Sequence, residues 1–352
     1  MRQRSALILA LSLVTFICNT QSTAHIRSSR KTVAFSVSEG TTLAFDISPD
    51  GRSIAFDLLG QLWLLPASGG AARPVTDAVR DSAEDNDPSF SPDGRRVLFR
   101  GERNGRTGLW LLNFASGDLR QLTQLTNPEG YEGNAAWSPD GRLIAFARKL
   151  LPDSPGGRPR TAIFLLDVSS GDVRELAITG LTVPNVSDPY WLPDGKQIAF
   201  VTRYATAERG GRVWIVAAAG GQATPVTAES VQALAPAFSA DARRLAYFAP
   251  DTAGRTQVWV QEIGNGSPLQ LTNHTDVTAT RVRWIPNDNR LMYSADGRLW
   301  TIAASGGPPA QVPFTAALSF ARQQSGLPQA KFPEPGRPQP ARGFMGLALS
   351  PD

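Results

Sequence analysis

Cysteine and histidine are scarce in this chain, which excludes the classes of protein that depend on them. A single cysteine among 352 residues cannot form a disulfide within the chain or a cysteine-based zinc site. The two histidines, His25 and His274, are too few for a histidine-rich catalytic metal centre. Glycine (32 residues) and proline (27 residues) are too few for a collagen-like or low-complexity chain, and 41% hydrophobic residues suffice for a packed core.

The chain also lacks a strong excess of either positive or negative charge. The 35 basic and 31 acidic residues are interspersed and give a net charge of +4. Arg2 and Arg4 supply two of these charges, so a chain that has lost its first 24 residues carries about +2. We therefore expect no nucleic-acid partner.

The amino terminus has the parts of an export signal. A basic start is followed by a 14-residue apolar run, Ser5 to Cys18, and by the small residues Ser22-Thr23-Ala24. A transmembrane helix needs about 20 apolar residues, so this run is too short to be one. We predict a signal peptide at 1–24, and a periplasmic or secreted protein with no transmembrane segment in its mature form.

Two other interpretations of this segment stay open. Cys18 is where a lipoprotein would be cleaved, although the bulky Phe16 and Ile17 stand where small residues are expected. The apolar run would otherwise be a buried core strand, which the basic start disfavours.

A repeated motif occupies nearly all of the remaining chain. Its copies are SPDGRSIAF (48–56), SPDGRRVLF (91–99), SPDGRLIAF (138–146), LPDGKQIAF (192–200), SADARRLAY (239–247) and IPNDNRLMY (285–293). A second motif such as QLWLLPASGG (61–70) follows each copy, and a third such as RQLT (120–123) closes most units. All eight tryptophans fall at two fixed places in this repeat, which indicates that each unit buries an aromatic ring at both.

Each unit predicts four antiparallel strands. Its apolar segments are short, rich in β-branched and aromatic residues, and bounded by Ser-Pro-Asp-Gly and Gly-Gly turns. Four-stranded units of about 40 to 50 residues are typical of propeller blades. We predict an all-β fold, a β-propeller of six four-stranded blades plus a partial seventh; a long β-sandwich is the competing architecture.

The ends of the chain set the predicted domain boundaries. Residues 25–40 contain a strand, 32–38, that we expect to close the ring by pairing with the last blade. Six blades follow at 41–326, a proline-rich linker at 327–341, and the first strand of an incomplete further blade at 342–352. This pattern favours a truncated form of a longer protein. The alternative is a closed six-bladed ring with 315–352 as a tail.

The motifs Phe-Ser-Pro-Asp-Gly, Leu-Trp with Gly-Gly, and Gln-Leu-Thr resemble the repeats of TolB-type (WD-like) propellers. This resemblance covers about residues 41–352 and implies the fold. Similar propellers occur as binding platforms of the cell envelope, and ahead of the catalytic domains of secreted amidohydrolases and prolyl-oligopeptidase-type serine peptidases. The opening repeats, 35–70, are most similar to the propeller that precedes an amidohydrolase domain.

The sequence contains no common catalytic motif. Gly-x-Ser-x-Gly, His-Glu-x-x-His and the phosphate-binding glycine loops are all absent. A Ser–His–Asp system would have to use His274, which we expect to be an exposed turn residue. We therefore expect no catalytic residue and leave open whether the whole protein is an enzyme.

A binding surface at the channel mouth is the remaining candidate site. In a propeller, the residues that enter the inner strand of each blade surround the mouth of the central channel. Upstream of the Ser-Pro-Asp motifs these are Asp46, Asp85, Asp87, Glu132, Asn134, Asp188, Arg281 and Arg283. Such a ring could attract a cation or a basic peptide, although Asp-Pro pairs are also ordinary turn formers. Carboxylates on neighbouring strands could hold Ca²⁺, but we predict no metal and no cofactor.

Two further sets of residues are candidate sites. The repeated aspartates Asp50, Asp93, Asp140 and Asp194 could form a metal array, but their repetition favours a role in the turns. Tyr131 and Tyr204 lie in long loops and could contact a partner.

Three functions follow, in order of preference. The first is an exported, non-catalytic platform in the cell envelope that binds a protein or peptide. The second is the N-terminal propeller of a truncated amidohydrolase, or less favoured of a serine peptidase, which gates or positions substrate for a catalytic domain beyond Asp352. The third is sugar or polysaccharide binding through aromatic-bearing loops.

Overall fold

The computed structural model describes residues 30–323, with gaps at 78–82, 104, 126–130, 153–157, 182–184, 203–210, 229 and 265. The predicted signal peptide, proline-rich linker and partial further blade lie outside the described residues. The chain divides into two compact units. Residues 34–319 contain the propeller; residues 1–33 and 320–352 form the other unit, of which only the strand residues 30–33 and 320–323 are described.

The described residues form 28 strands and no helix, so the predicted all-β propeller is confirmed with six blades. In chain order the strands are β1 (Arg30–Val37), β2 (Phe45–Ile47), β3 (Ser53–Leu58), β4 (Gln61–Pro66), β5 (Gly70–Pro74), β6 (Ala83–Phe90), β7 (Arg96–Arg103), β8 (Arg106–Asn113), β9 (Leu119–Gln121), β10 (Tyr131–Trp137), β11 (Leu143–Leu150), β12 (Arg160–Asp167), β13 (Val173–Glu175), β14 (Ile178–Thr179), β15 (Val186–Trp191), β16 (Gln197–Thr202), β17 (Val213–Ala217), β18 (Gly221–Gln222), β19 (Thr224–Pro225), β20 (Leu234–Phe238), β21 (Arg244–Pro250), β22 (Thr256–Glu262), β23 (Leu269–Gln270), β24 (Val277–Trp284), β25 (Arg290–Ala295), β26 (Arg298–Ala303), β27 (Ala310–Val312) and β28 (Phe314–Gln323).

Each blade is an antiparallel sheet whose strands run outward in sequence order. From the innermost strand they are β2–β5, β6–β9, β10–β13, β15–β16–β17–β19, β20–β23 and β24–β27. In the part of the chain that the structure describes, no helix is long and apolar enough to cross a membrane.

The Ser-Pro-Asp-Gly segment makes the turn between the first two strands of a blade. In blade one, Ser48 donates its hydroxyl hydrogen to Asp50 Oδ1 at 2.6 Å, and the same oxygen accepts the backbone N–H of Arg52 at 3.0 Å. Gly51 completes the turn at φ 71°. Asp93, Asp140 and Asp241 repeat this arrangement, and Asp194 keeps its backbone bond. These aspartates therefore serve turn geometry, as predicted.

The Leu-Thr motif fixes the outer strand to the third strand. Thr272 Oγ1 accepts the buried backbone N–H of Val258 at 2.9 Å. Thr76, Thr123 and Thr227 do the same for Leu62, Leu109 and Val213. The threonine thus satisfies a donor that the short outer strand leaves unpaired.

Aromatic rings fill the spaces between the blades. The aromatic residue of the Ile-Ala-Phe strand is buried in every blade: Phe56, Phe99, Phe146, Phe200, Tyr247 and Tyr293. Trp63, Trp137 and Trp191 are also buried, whereas the other tryptophans are half-buried. Trp137 and Trp284 donate their indole N–H to the inner strand of the preceding blade, at Ser89 O (3.2 Å) and Ala237 O (3.0 Å). These tryptophans therefore form hydrogen bonds between neighbouring blades as well as filling the space between them.

The ring closes differently from the prediction. Residues 32–38 were expected to pair with the last blade, but β1 lies at the outer edge of the first blade's sheet, beside β28. The last blade needs no borrowed strand, because β27 pairs with its own β26. The inner strands β24 and β2 close the ring by direct contact.

A backbone contact repeated in two places shows that blade six meets blade one as an ordinary neighbour. Gly221 in blade four donates its N–H to Ala177 O, in the segment that leaves blade three, at 2.8 Å. Gly70 in blade one donates to Pro313 O, in the segment that leaves blade six, also at 2.8 Å. At Gly69, next to the second contact, a Cβ atom would lie 2.4 Å from Pro313 O. The Gly-Gly turn therefore leaves room for the backbone of the adjacent segment at Pro313.

Candidate functional site at the ring centre

Backbone bulges aim side chains of the inner strands at the ring centre. Asp87, Asn134, Asp188 and Ala235 occupy equivalent positions and have positive φ angles of 56°, 53°, 52° and 46°. The strand register shifts at each of them. A bulge redirects the side chain of the extra residue, and three of these four residues were predicted to belong to the site.

Hydrogen bonds join these side chains from blade to blade. Asp57 accepts two backbone N–H groups, that of Ala44 at 2.8 Å and that of Asp87 at 3.0 Å. Asp87 Oδ2 accepts the backbone N–H of Asn134 at 3.0 Å. The amide nitrogen of Asn134 then donates to Asp188 Oδ1 at 2.6 Å. The chain of bonds runs through blades one to four and holds their inner strands in fixed positions.

Arg281 crosses the centre from blade six. Its Nη2 lies 2.7 Å from Asp87 Oδ1, its Nη1 donates to Pro88 O at 2.9 Å, and Nη2 also donates to Ala135 O at 3.1 Å. These partners belong to blades two and three, and the Arg281 side chain is only 5% exposed. The guanidinium group therefore links blade six to blades two and three at the ring centre.

A second ion pair lies between blades six and one. Arg283 Nε donates to Asp46 Oδ1 at 2.7 Å, and Asp46 Oδ2 accepts the backbone N–H of Phe90 at 2.8 Å. Both predicted arginines therefore pair with predicted acids, so these charges partly neutralise one another.

Asp85 and Glu132 are fully buried, and each forms an ion pair with an arginine of its own blade. Asp85 forms an ion pair with Arg103 on the adjacent strand. Glu132 accepts a hydrogen bond from Arg148 Nε at 2.6 Å and one from the hydroxyl of Thr123. Of these two predicted site residues only Asp85 also lines the cavity described next; Glu132 lines none of the cavities at the centre.

Two cavities lie at the centre. The larger, about 530 Å³, opens at the start of the inner strands; we call it the mouth cavity. It is lined by Asp57, Asp87, Tyr131, Asn134 and Thr280, among others. The smaller, about 20 Å³, lies among Asp188, Tyr190, Arg281 and Arg283 and has room for about one water molecule. Asn134 and Thr280 line both cavities, whereas Arg281 lines only the smaller one.

Asp57 was missed by the sequence analysis. Burial raises the pKa of its carboxyl group to about 7, and the charge of Asp87 adds to this effect, while the two backbone N–H bonds and Arg281 oppose it. A signal was present: the equivalent residues of the other units are Arg100, Ala147, Val201, Phe248 and Ser294, so Asp57 is the one acid at this position.

His274 is not the exposed turn residue that we expected. Its side chain is 12% exposed, with Nδ1 2.7 Å from Asp296 Oδ2 and Nε2 2.9 Å from the Tyr293 hydroxyl. Its ring packs against Trp300 at a centroid distance of 5.0 Å. The blade that follows His274 supplies all three partners, which explains the burial. Burial also raises the pKa of the Tyr293 phenol, so this hydroxyl group stays protonated at neutral pH.

Among the residues that the structure describes, no group of three or more His, Cys, Asp or Glu side chains could hold a metal ion. The Ca²⁺ alternative stays an untested prediction. Tyr131 lies at the mouth cavity and is 39% exposed. Tyr204 lies outside the described residues.

Comparison with known families and structures agrees with this architecture. Residues 88–207 match the family described as TolB beta propeller domain. This segment therefore carries TolB-type propeller repeats. No curated protein matches the chain.

Several solved structures share the TolB-type propeller fold. TolB from Acinetobacter baumannii is 18% identical, with a TM-score of 0.59, over 78% of this chain and 66% of that one. A putative TolB from Agrobacterium tumefaciens is 18% identical, with a TM-score of 0.54, over 83% and 99%. The tricorn protease is 17% identical, with a TM-score of 0.58, over 78% of this chain but 26% of that one. At this level of identity the matches show the fold alone.

Proposed function

We propose that this chain is an exported, non-catalytic propeller of the periplasm or extracellular space that binds a protein or peptide at its mouth cavity. The observation that carries the proposal is the pocket of about 530 Å³ at the start of the inner strands, with its convergent polar groups. Concave sites with a few convergent polar groups are the usual place for ligands.

Rigidity of the pocket supports this proposal. The bonds that join Asp57, Asp87 and Asn134 fix the walls, and the ion pair with Arg281 holds Asp87 in place. A partner that docks on a pre-organised surface loses less free energy to the ordering of side chains.

Site-specific photo-crosslinking in cells that export the protein tests this proposal. A photoreactive phenylalanine analogue replaces Tyr131 at the mouth cavity or Ser169, which lies in a turn on the opposite face. We expect a discrete crosslinked partner from position 131 and none from position 169. Equal crosslinking at the two positions, or none at position 131, would overturn the assignment of the binding face.

A second candidate is a propeller module that positions substrate for a catalytic domain. One observation favours it: matching propellers form part of longer enzymes, since the match covers 47% of a puromycin-hydrolyzing peptidase from Mycobacterium tuberculosis (16% identical, TM-score 0.53). The coding sequence downstream of Asp352 decides. A His-x-His pattern indicates the amidohydrolase, Gly-x-Ser-x-Gly indicates the peptidase, and an immediate stop codon rejects both.

A further inference from the structure

A second cavity adjoins the mouth cavity on the same face. It has a volume of about 790 Å³ and is lined by Val37, Glu39, Asp276 and Asp296, among others. Both cavities are also lined by Thr41, Thr42, Leu58 and Leu59, which form a low ridge between them. The two cavities are therefore lobes of one groove across blade one, which we call the blade-one groove.

Among the described residues that line the blade-one groove, every side chain of the Asp, Glu, Lys and Arg types is acidic. Seven acidic residues line the two lobes, namely Glu39, Asp57, Glu84, Asp85, Asp87, Asp276 and Asp296, and no lysine or arginine lines either lobe among the described residues. This bias is local, because the chain as a whole has more basic than acidic residues. A groove lined by one sign of charge attracts the opposite sign.

Neighbouring arginines neutralise only part of this charge. Arg281 and Arg103 pair with Asp87 and Asp85, and Arg298 pairs with Glu39 at 2.9 Å. Glu84 and Asp276 are exposed, one in each lobe. The groove thus presents an acidic side chain to solvent on each side of its ridge.

The ridge itself presents an apolar side chain. Leu59 is 60% exposed, the largest fraction among the exposed large hydrophobic residues described. It stands at φ 53°, followed by Gly60 at φ 73°, in a two-residue hairpin turn. Such a turn favours Asn-Gly, and leucine is strained at a positive φ. Turn formation therefore does not explain the leucine, whereas contact with an apolar partner residue does.

We propose that the blade-one groove binds an extended, positively charged peptide segment of a partner protein. An apolar side chain of the segment packs on Leu59, and a lysine or arginine on each side of it reaches the acidic residues of one lobe. An extended peptide fits because it can cross the ridge and place side chains in both lobes. This inference rests on the proposed function and names the chemistry of the partner.

A fluorescein-labelled peptide of sequence Gly-Lys-Leu-Lys-Gly-Lys-Leu-Lys is the probe. Its affinity for the purified chain is measured by fluorescence anisotropy, and a peptide with glutamate in place of each lysine is the control. We expect binding of the lysine peptide, weakened by added salt, and no binding of the glutamate peptide. Failure of the lysine peptide to bind would overturn the proposal.

Two variants locate the binding. Leu59→Asn removes the apolar contact and suits the turn better, so the thermal midpoint of unfolding should not fall. Glu84→Gln with Asp276→Asn removes one exposed charge from each lobe. Each should weaken binding of the lysine peptide about tenfold.

Matched controls lie outside the groove. Leu269→Asn replaces another exposed leucine, and Asp118→Asn with Glu262→Gln removes two acidic groups near the opposite face. These should change the affinity less than about twofold. Equal losses in the controls would show non-specific attraction and reject the groove.

Two further outcomes separate the alternatives. If Leu59→Asn has no effect and spermidine displaces the peptide at equal charge concentration, the groove binds small polycations and the peptide proposal fails. If a partner is crosslinked at position 131 but the lysine peptide does not bind, the binding platform stands and only its preference for basic peptides is wrong.

Discussion

Arg281 Nη2 lies 2.7 Å from Asp87 Oδ1, although the two residues belong to the inner strands of blades six and two. The same guanidinium group donates to backbone oxygens of Pro88 and Ala135. One side chain therefore fastens three blades at the centre of the ring.

The stability of the ring should depend on this side chain. Arg281→Met keeps the bulk of the side chain but leaves the Asp87 carboxylate and two carbonyl groups without their donor. We expect the free energy of unfolding to fall by about 3 kcal/mol, as for other broken buried ion pairs. Urea denaturation followed by tryptophan fluorescence measures it.

Arg298→Met is the matched control, because the ion pair between Arg298 and Glu39 is exposed on both sides. It should cost less than about 1 kcal/mol. Equal losses in the two variants would contradict the central role of Arg281.

Asp57 should make stability depend on pH. Its folded pKa of about 7 lies above the ordinary value of 3.8, so the folded protein holds this proton more tightly than the unfolded chain does. The associated stability is complete below about pH 4 and is lost as the pH rises to about 7. Relative to Asp57→Asn, the wild-type chain should lose about 2 to 3 kcal/mol between pH 5 and pH 8.

Chemical denaturation of both proteins at several pH values measures this trend. Asp50→Asn provides the comparison, because the Ser48 hydroxyl group lowers the pKa of Asp50 and its titration ends below this range. A difference between wild type and Asp57→Asn that stays flat from pH 5 to pH 8 would refute the burial effect.

The threonines of the Leu-Thr motif should contribute more to the free energy of unfolding than exposed threonines do. Thr272→Val keeps the shape but leaves the buried N–H of Val258 without its acceptor. We expect a loss of about 1 to 3 kcal/mol in the free energy of unfolding. Thr224→Val, at an exposed position of the outer strand of blade four, should change it by less than about 0.5 kcal/mol. A similar, small effect at both sites would contradict the stabilising role of the Thr272 hydrogen bond.

Local sequence predicted the blades because local chemistry builds them. The turn bonds of Ser48 and Asp50 span two residues, and each blade pairs strands that are adjacent in sequence. The aromatic positions repeat with the same period, so their burial could also be predicted. These features need no information from distant parts of the chain.

The features that the sequence did not reveal depend on distant partners. β28 pairs in parallel with β5, more than 200 residues earlier, and no repeat motif marks it. The Arg281–Asp87 pair was unpredictable for the same reason, since 193 positions separate Arg281 from Pro88, the residue next to Asp87. Asp57 acquires its raised pKa only because another blade covers it.

The affinity of the crosslinked partner for Tyr131→Ala tests the central claim, that the mouth cavity is the binding face, most directly. Tyr131 is exposed at the mouth cavity. Leu119→Ala is the control, because Leu119 is exposed on the opposite side of blade two. By biolayer interferometry, we predict an affinity at least about tenfold weaker for Tyr131→Ala and unchanged for Leu119→Ala. An unchanged affinity for Tyr131→Ala, with a loss for Leu119→Ala, would contradict the claim.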